Sequence, residues 1–132
     1  VWPDPAVTVG WLETVGGPRS PIGSDGGAVT VAEHLDPDVV VLVADAGLGT
    51  VNAVLVSLAR FTGRPALVVL NRFDPADDLH RRNRAWLADR HHLTVLTSPE
   101  DLADHLAATA GGRERQPPGR SDGGTATPPS KA

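Results

Sequence analysis

Residues 39–74 read VVVLVADAGLGTVNAVLVSLARFTGRPALVVLNRFD. Residues 39–43 are a continuous apolar run, the pattern of a parallel strand covered on both faces. A glycine turn follows, and Thr50 is placed to cap a helix in which Val51, Val54, Leu55 and Leu58 recur at helical spacing. Gly63 and then Pro65 close that helix. Residues 66–70 form a second buried strand, which runs into Asn-Arg-Phe-Asp. Strand, helix and strand in this order are the repeating unit of an α/β protein.

The same pattern extends outward. Downstream, Asp77 or Asp78 opens a helix with Leu79, Trp86 and Leu87 inward and Arg81, Arg82 and Arg84 mostly outward. Residues 93–96 read as a short strand. Ser98 caps a last helix, with Pro99 at its first position, Glu100 and Asp101 in its first turn, and Leu102 and Leu106 inward. Upstream, residues 6–13 (AVTVGWLE) read as a strand, residues 14–27 as a glycine- and proline-rich loop, and residues 29–35 as a short helix stopped by Asp-Pro-Asp. The expected fold is α/β, a three-layer parallel sheet with helices on both faces, in one domain over residues 1–110. From Gly111 the chain is Gly, Pro, Ser, Thr, Arg and Lys without apolar anchors, so residues 111–132 are expected to form a disordered tail.

Composition narrows the function. The 132 residues carry a net charge of -4, which argues against a general nucleic-acid binder. Cysteine is absent, which excludes disulfides and thiolate chemistry. No apolar run approaches the roughly 20 residues of a membrane span, and no signal peptide is visible, so a cytoplasmic location without a membrane partner is expected. Methionine is absent too, so Val1 is not an ordinary translation start and the chain is expected to begin inside something longer. The single lysine, Lys131, lies in the tail, and no G-x-x-x-x-G-K-[ST] phosphate loop occurs.

Ligands of open parallel sheets bind beyond the carboxyl ends of the strands. That rule points to residues 13–17, 45–52, 71–74 and 97–101. Glu13, beside glycines that permit close approach, has the chemistry of an Mg²⁺ ligand or of a solvated strand-end acid. Gly47, Gly49 and Asn52 spell G-x-G-x-x-N, an incomplete dinucleotide fingerprint or a tight turn into a helix. Its helix N-terminus offers N–H groups to a carboxylate or phosphate. Asn71 has the donor and acceptor needed to pair with a purine edge. Asn71 and Asp74 together resemble the N-K-x-D guanine-reading motif with Arg72 in place of lysine, or form an Asx-type turn. The five histidines show no metal-ligand spacing and are expected to be solvated or packed.

Taken in order, LETVGGPRSPI, ADAGLGTVNAVLVSL and LVVLNR resemble the corresponding segments of dethiobiotin synthetases and their relatives, over roughly residues 6–106. The resemblance implies the C-terminal part of a P-loop NTPase-like domain, incomplete at its N-terminus. Its implied activity is ATP- and Mg²⁺-dependent closure of a ureido ring from a diamino acid and CO₂ in biotin biosynthesis, within a homodimer. The implied metal ligand is Glu13. The implied substrate-binding residues are Gly16, Gly17, Gly49, Thr50, Val51 and Asn52, and the implied nucleotide contacts are Asn71, Ser98, Pro99 and Glu100, near Asp101. Thr14, Val15 and Ala53 depart from the family pattern, and Arg19 in the PRSP stretch is a new anion contact to consider. The phosphate loop and substrate lysine of such a ligase are not in these residues, so no catalytic residue is assigned and the chain alone is expected to lack ligase activity. The alternatives are a non-catalytic nucleotide-fold binding or regulatory relative, and a GTP-handling protein reading guanine through Asn71 and Asp74.

Overall fold

The structure is a computed structural model that describes residues 9–110. Its described elements run α1 (Ala28–Leu35), β1 (Val40–Asp45), α2 (Thr50–Leu58), β2 (Ala66–Asn71), α3 (Asp78–Ala85), a π-helical turn (Trp86–Arg90), β3 (Thr94–Leu96) and α4 (Pro99–Ala110). The described residues therefore contain three strands where four were expected. Residues 9–13 take no regular structure, and residues 6–8 of that expected strand lie outside the described residues. Val9, Trp11 and Leu12 of this segment are exposed, without a neighbouring strand among the described residues. The expected tail, residues 111–132, also lies outside the described residues.

The strands form one parallel sheet in the order β1-β2-β3. Val40 pairs with Ala66 and Asp45 with Asn71, so β1 and β2 end level. Leu67 pairs with Thr94 and Val69 with Leu96. In this order both crossovers advance the same way. Right-handed connections then set α2 and the α3–π segment on the same face of the sheet. The core agrees: Val54 of α2 and Leu87 of the π turn gather with Ala46, Val68, Leu70 and Val95. Partly buried Leu42, Ala44, Val51, Leu55, Leu58 and Phe73 surround them.

The ends of the elements follow from local chemistry. Asp77 caps α3, its Oδ1 accepting from the N–H groups of Leu79 (2.8 Å) and His80 (3.3 Å). Thr50 does not cap α2 as expected. It is the first helical residue, and Gly49 precedes it at φ +86°, a left-handed conformation that glycine adopts without steric cost. Leu79 and Trp86 also depart from expectation. Both are exposed, whereas Leu87 is fully buried. Successive helical residues lie about 100° apart, so Leu87 facing the core turns Trp86 to the surface. There the Arg90 guanidinium lies 5.7 Å from its ring centre. Among the described residues, no helix is long and apolar enough to cross a membrane.

Candidate functional site at the strand ends

The carboxyl ends of β1 and β2 are joined by a polar network. Asp45, the last residue of β1, accepts from the Gly47 N–H at 2.8 Å through Oδ1. Its other oxygen is ion-paired with the Arg72 guanidinium. These two contacts, the Gly47 N–H first, hold the Asp45 carboxyl below its ordinary value. A side chain at Gly47 would push on this network, since a Cβ there would stand 2.9 Å from Asp45 Oδ1. The backbone closes the same seam, with the Ala46 N–H donating to the Asn71 carbonyl at 3.2 Å.

Asn83 of α3 supplies the other half. Its Nδ2 donates to the carbonyls of Ala46 (2.9 Å) and Gly47 (2.8 Å). The turn into α2 is thus held from the strand by Asp45 and from a neighbouring helix by Asn83. Sequence reasoning missed Asn83 because it sits among arginines that read as a solvated face. The signal available to it was a lone amide at a helix position otherwise filled by charge.

Leu48 projects from the turn, 94% exposed. Beyond it, Gly49, Thr50, Val51 and Asn52 open α2. The first N–H groups of an α-helix have no intrahelical partner and form an anion-holding surface. Beneath that start, Thr50 is only 4% exposed and its Oγ1 has no hydrogen-bond partner among the described residues. A buried hydroxyl without a partner is costly, which marks the start of α2 as incompletely satisfied. Val51 is partly buried against the core, while Asn52 is exposed.

At the end of β2, Asn71 is exposed and its Oδ1 accepts from the Arg72 N–H at 3.0 Å. The second lone pair and both amide hydrogens remain available, which fits the paired donor and acceptor of a purine edge. Arg72 takes φ +56°, and this left-handed step carries its guanidinium back to Asp45. Asp74 is occupied locally. Its Oδ1 accepts from the Ala76 N–H at 2.8 Å, and its own N–H donates to His80 Nδ1 at 3.0 Å. This is the Asx-type turn weighed against guanine reading. Nδ1 of His80 is then the acceptor, so its ring proton belongs on Nε2.

At the end of β3, Ser98 caps α4 as expected, its Oγ accepting from the Asp101 N–H at 3.0 Å. Asp101 reaches back to the Thr97 N–H (3.2 Å) and Oγ1 (3.0 Å), which hold its carboxyl below the ordinary value. Pro99 and Glu100 complete the exposed first turn. These residues leave the sheet at the same edge as Asn71, because β3 runs parallel to β2.

The amino-terminal candidates sit differently. Glu13 is exposed in a segment without regular structure, not at the end of a strand. Gly16 takes φ +77°, and the Gly17 N–H donates to Ser20 Oγ at 2.9 Å. Gly17 shares a cavity with Val56, Ser57 and Arg60, on the second half of α2 and just beyond it. Among the described residues, no group of three or more His, Asp or Glu converges as a metal cage. A lone carboxylate such as Glu13 fits Mg²⁺ only where phosphate oxygens and water complete the octahedron.

The fold defines an α/β protein with a three-stranded parallel sheet among the described residues. Neither a protein-family model, a curated protein nor a solved structure matches the chain.

Proposed function

We propose that the chain is the C-terminal part of a dethiobiotin synthetase-like, ATP-dependent cyclo-ligase in a three-layer, P-loop-like fold of the cytoplasm. The observation that carries this reading is the level ending of β1 and β2. It brings the Gly47–Asn52 turn, suited to an anion, beside Asn71, suited to a purine edge. In this reading the start of α2 holds the carboxylate of a diamino acid, and Asn71 pairs with adenine. The first turn of α4, from Ser98 to Glu100, flanks the base. Glu13 contributes one Mg²⁺ ligand, and Gly16 and Gly17 let substrate approach. Bound ATP and Mg²⁺ supply the phosphoryl group and its charge neutralisation; this chain's residues bind and orient.

Asp74 accepts the Ala76 N–H through Oδ1 only, so the choice between adenine and guanine is one for measurement. Calorimetric titration of the 132-residue chain with ATP and GTP tests the reading. ATP is expected to bind in preference to GTP. Asn71→Ala should weaken ATP binding about tenfold, the worth of one or two lost hydrogen bonds, and Asp74→Ala should leave it unchanged. Preference for GTP, lost with Asp74→Ala, would replace adenine by guanine in this site. Phosphate release from ATP with diamino acid and bicarbonate should stay at background for this chain alone, since no P-loop lysine lies within it.

A further inference from the structure

The groove that Gly17 shares with Val56, Ser57 and Arg60, open to solvent and of about 510 Å³, lies between the Gly-Pro-Arg-Ser turn and the second half of α2. Its polar lining is Arg19 and Ser20 from the turn, with Ser57 and Arg60 from the helix side. Pro18 and Val56 give it an apolar wall. Among the described residues, no carboxylate lines it. Arg64, Arg72, Arg81 and Arg82 each have an aspartate partner, whereas Arg19 and Arg60 have none among the described residues.

The local backbone sets where the main chain of Arg19 and Arg60 stands, and both residues are exposed. Gly17, Pro18, Arg19 and Ser20 form a tight turn with proline at its second position. The Ser20 N–H donates to the Gly17 carbonyl at 2.8 Å, and the Gly17 N–H donates to Ser20 Oγ at 2.9 Å. Gly16 must lack a side chain, since a Cβ there would stand 2.4 Å from Ser20 Oγ. On the other wall, the Arg60 N–H donates to the Ser57 carbonyl at 3.2 Å as the helix tightens, and buried Phe61 anchors the exit. An α-helix rises about 1.5 Å per residue, so Ser57 and Arg60 lie roughly 10–15 Å from Thr50. The groove is therefore apart from the strand-end network of Asp45, Asn71 and Asn83, and shares only Gly17 with the residues used in the proposed function.

We infer that this groove binds a small organic phosphate, its phosphoryl group between Arg19 and Arg60 and its apolar body against Pro18 and Val56. Two guanidinium groups without carboxylate partners among the described residues, with two serine hydroxyls in the same lining, match the charge and hydrogen-bonding chemistry of a phosphate dianion. The assignment goes beyond the nucleotide reading and uses none of its base contacts.

The test is an NMR titration of the 132-residue chain with inorganic phosphate and with phenyl phosphate, ionic strength being held constant with chloride. Saturable shifts are expected at the Gly17, Ser20 and Arg60 amides, with phenyl phosphate binding more tightly. Arg19→Gln and Arg60→Gln should each weaken binding about tenfold, as for loss of a charged hydrogen-bond donor. Arg84→Gln, outside the groove, should change nothing. Absence of saturable shifts, or equal weakening by Arg84→Gln, overturns the site. Equal affinity for the two probes overturns the organic body and leaves free phosphate. Asn71→Ala should leave the phenyl phosphate titration intact, so failure of the nucleotide reading and failure of this site are told apart.

Discussion

β1 and β2 have nearly the same apolar composition, VVLVAD and ALVVLN, and the same length, yet they are buried very differently. Four consecutive residues of β2, from Leu67 to Leu70, are buried, whereas no residue of β1 is fully buried and Val43 is 61% exposed. The cause is position. β2 pairs on both sides, while β1 pairs only with β2 among the described residues. An apolar run therefore reports a strand's capacity for burial and not its place in the sheet. The free edge of β1 is a place where a further strand can pair.

The contrast predicts a graded set of outcomes. Leu70→Ala removes a fully buried side chain from the central strand and should cost about 2–5 kcal/mol in urea unfolding. Asn83→Ala leaves the Ala46 and Gly47 carbonyls at the end of β1 without their side-chain donor, and should cost about 1–2 kcal/mol. It should also speed amide exchange in the turn after β1 more than anywhere in β2.

Acid should act on the same seam. Asp45, Asp77 and Asp101 all have carboxyls held below the ordinary value of about 3.9, each first by a backbone N–H, from Gly47, His80 and Thr97 respectively. Their contribution is fully present above that value and is lost as pH falls through their folded-state values. Urea midpoints should fall between pH 5 and pH 2, and Asp45→Asn should flatten that dependence. The smallest effect is expected from Val43→Ala on the edge strand, within about 0.5 kcal/mol of the parent chain. A Val43 cost matching that of Leu70 would show β1 to be covered in solution.

The alternation of elements from Val40 to Ala110 was legible because the apolar runs, Asp77 and Ser98 act through neighbours a few residues away. The positions that failed depend on distant or crowded partners. Thr50 looked like a cap, but the left-handed Gly49 moved the helix start by one residue. Asn83 stood out only as a lone amide among arginines, because its carbonyl partners lie 36 and 37 residues upstream. Residues 9–13 have strand-like apolar content, but Trp11 and Leu12 are exposed and no strand forms there. The positions of the Gly47–Asn52 turn, Asn71 and Ser98 after strand ends were legible because the apolar runs before them mark where the strands stop. The Asp45–Arg72 pair was not, because it depends on the positive φ of Arg72.

The π-helical turn at Trp86–Arg90 has a consequence for how this sequence can drift. It fits one more residue into a turn than the helix it extends. It ends with His92 at φ +53° and the Leu93 N–H donating back to the Leu87 carbonyl at 3.3 Å. Deleting one residue there would restore an ordinary helix but swing everything after it by about 100°, and with it the lead into β3. Between Asp77 and Thr94, then, exposed positions such as Ala85 and His91 can be exchanged, while the number of residues cannot. Insertions and deletions in this interval should be selected against far more strongly than substitutions.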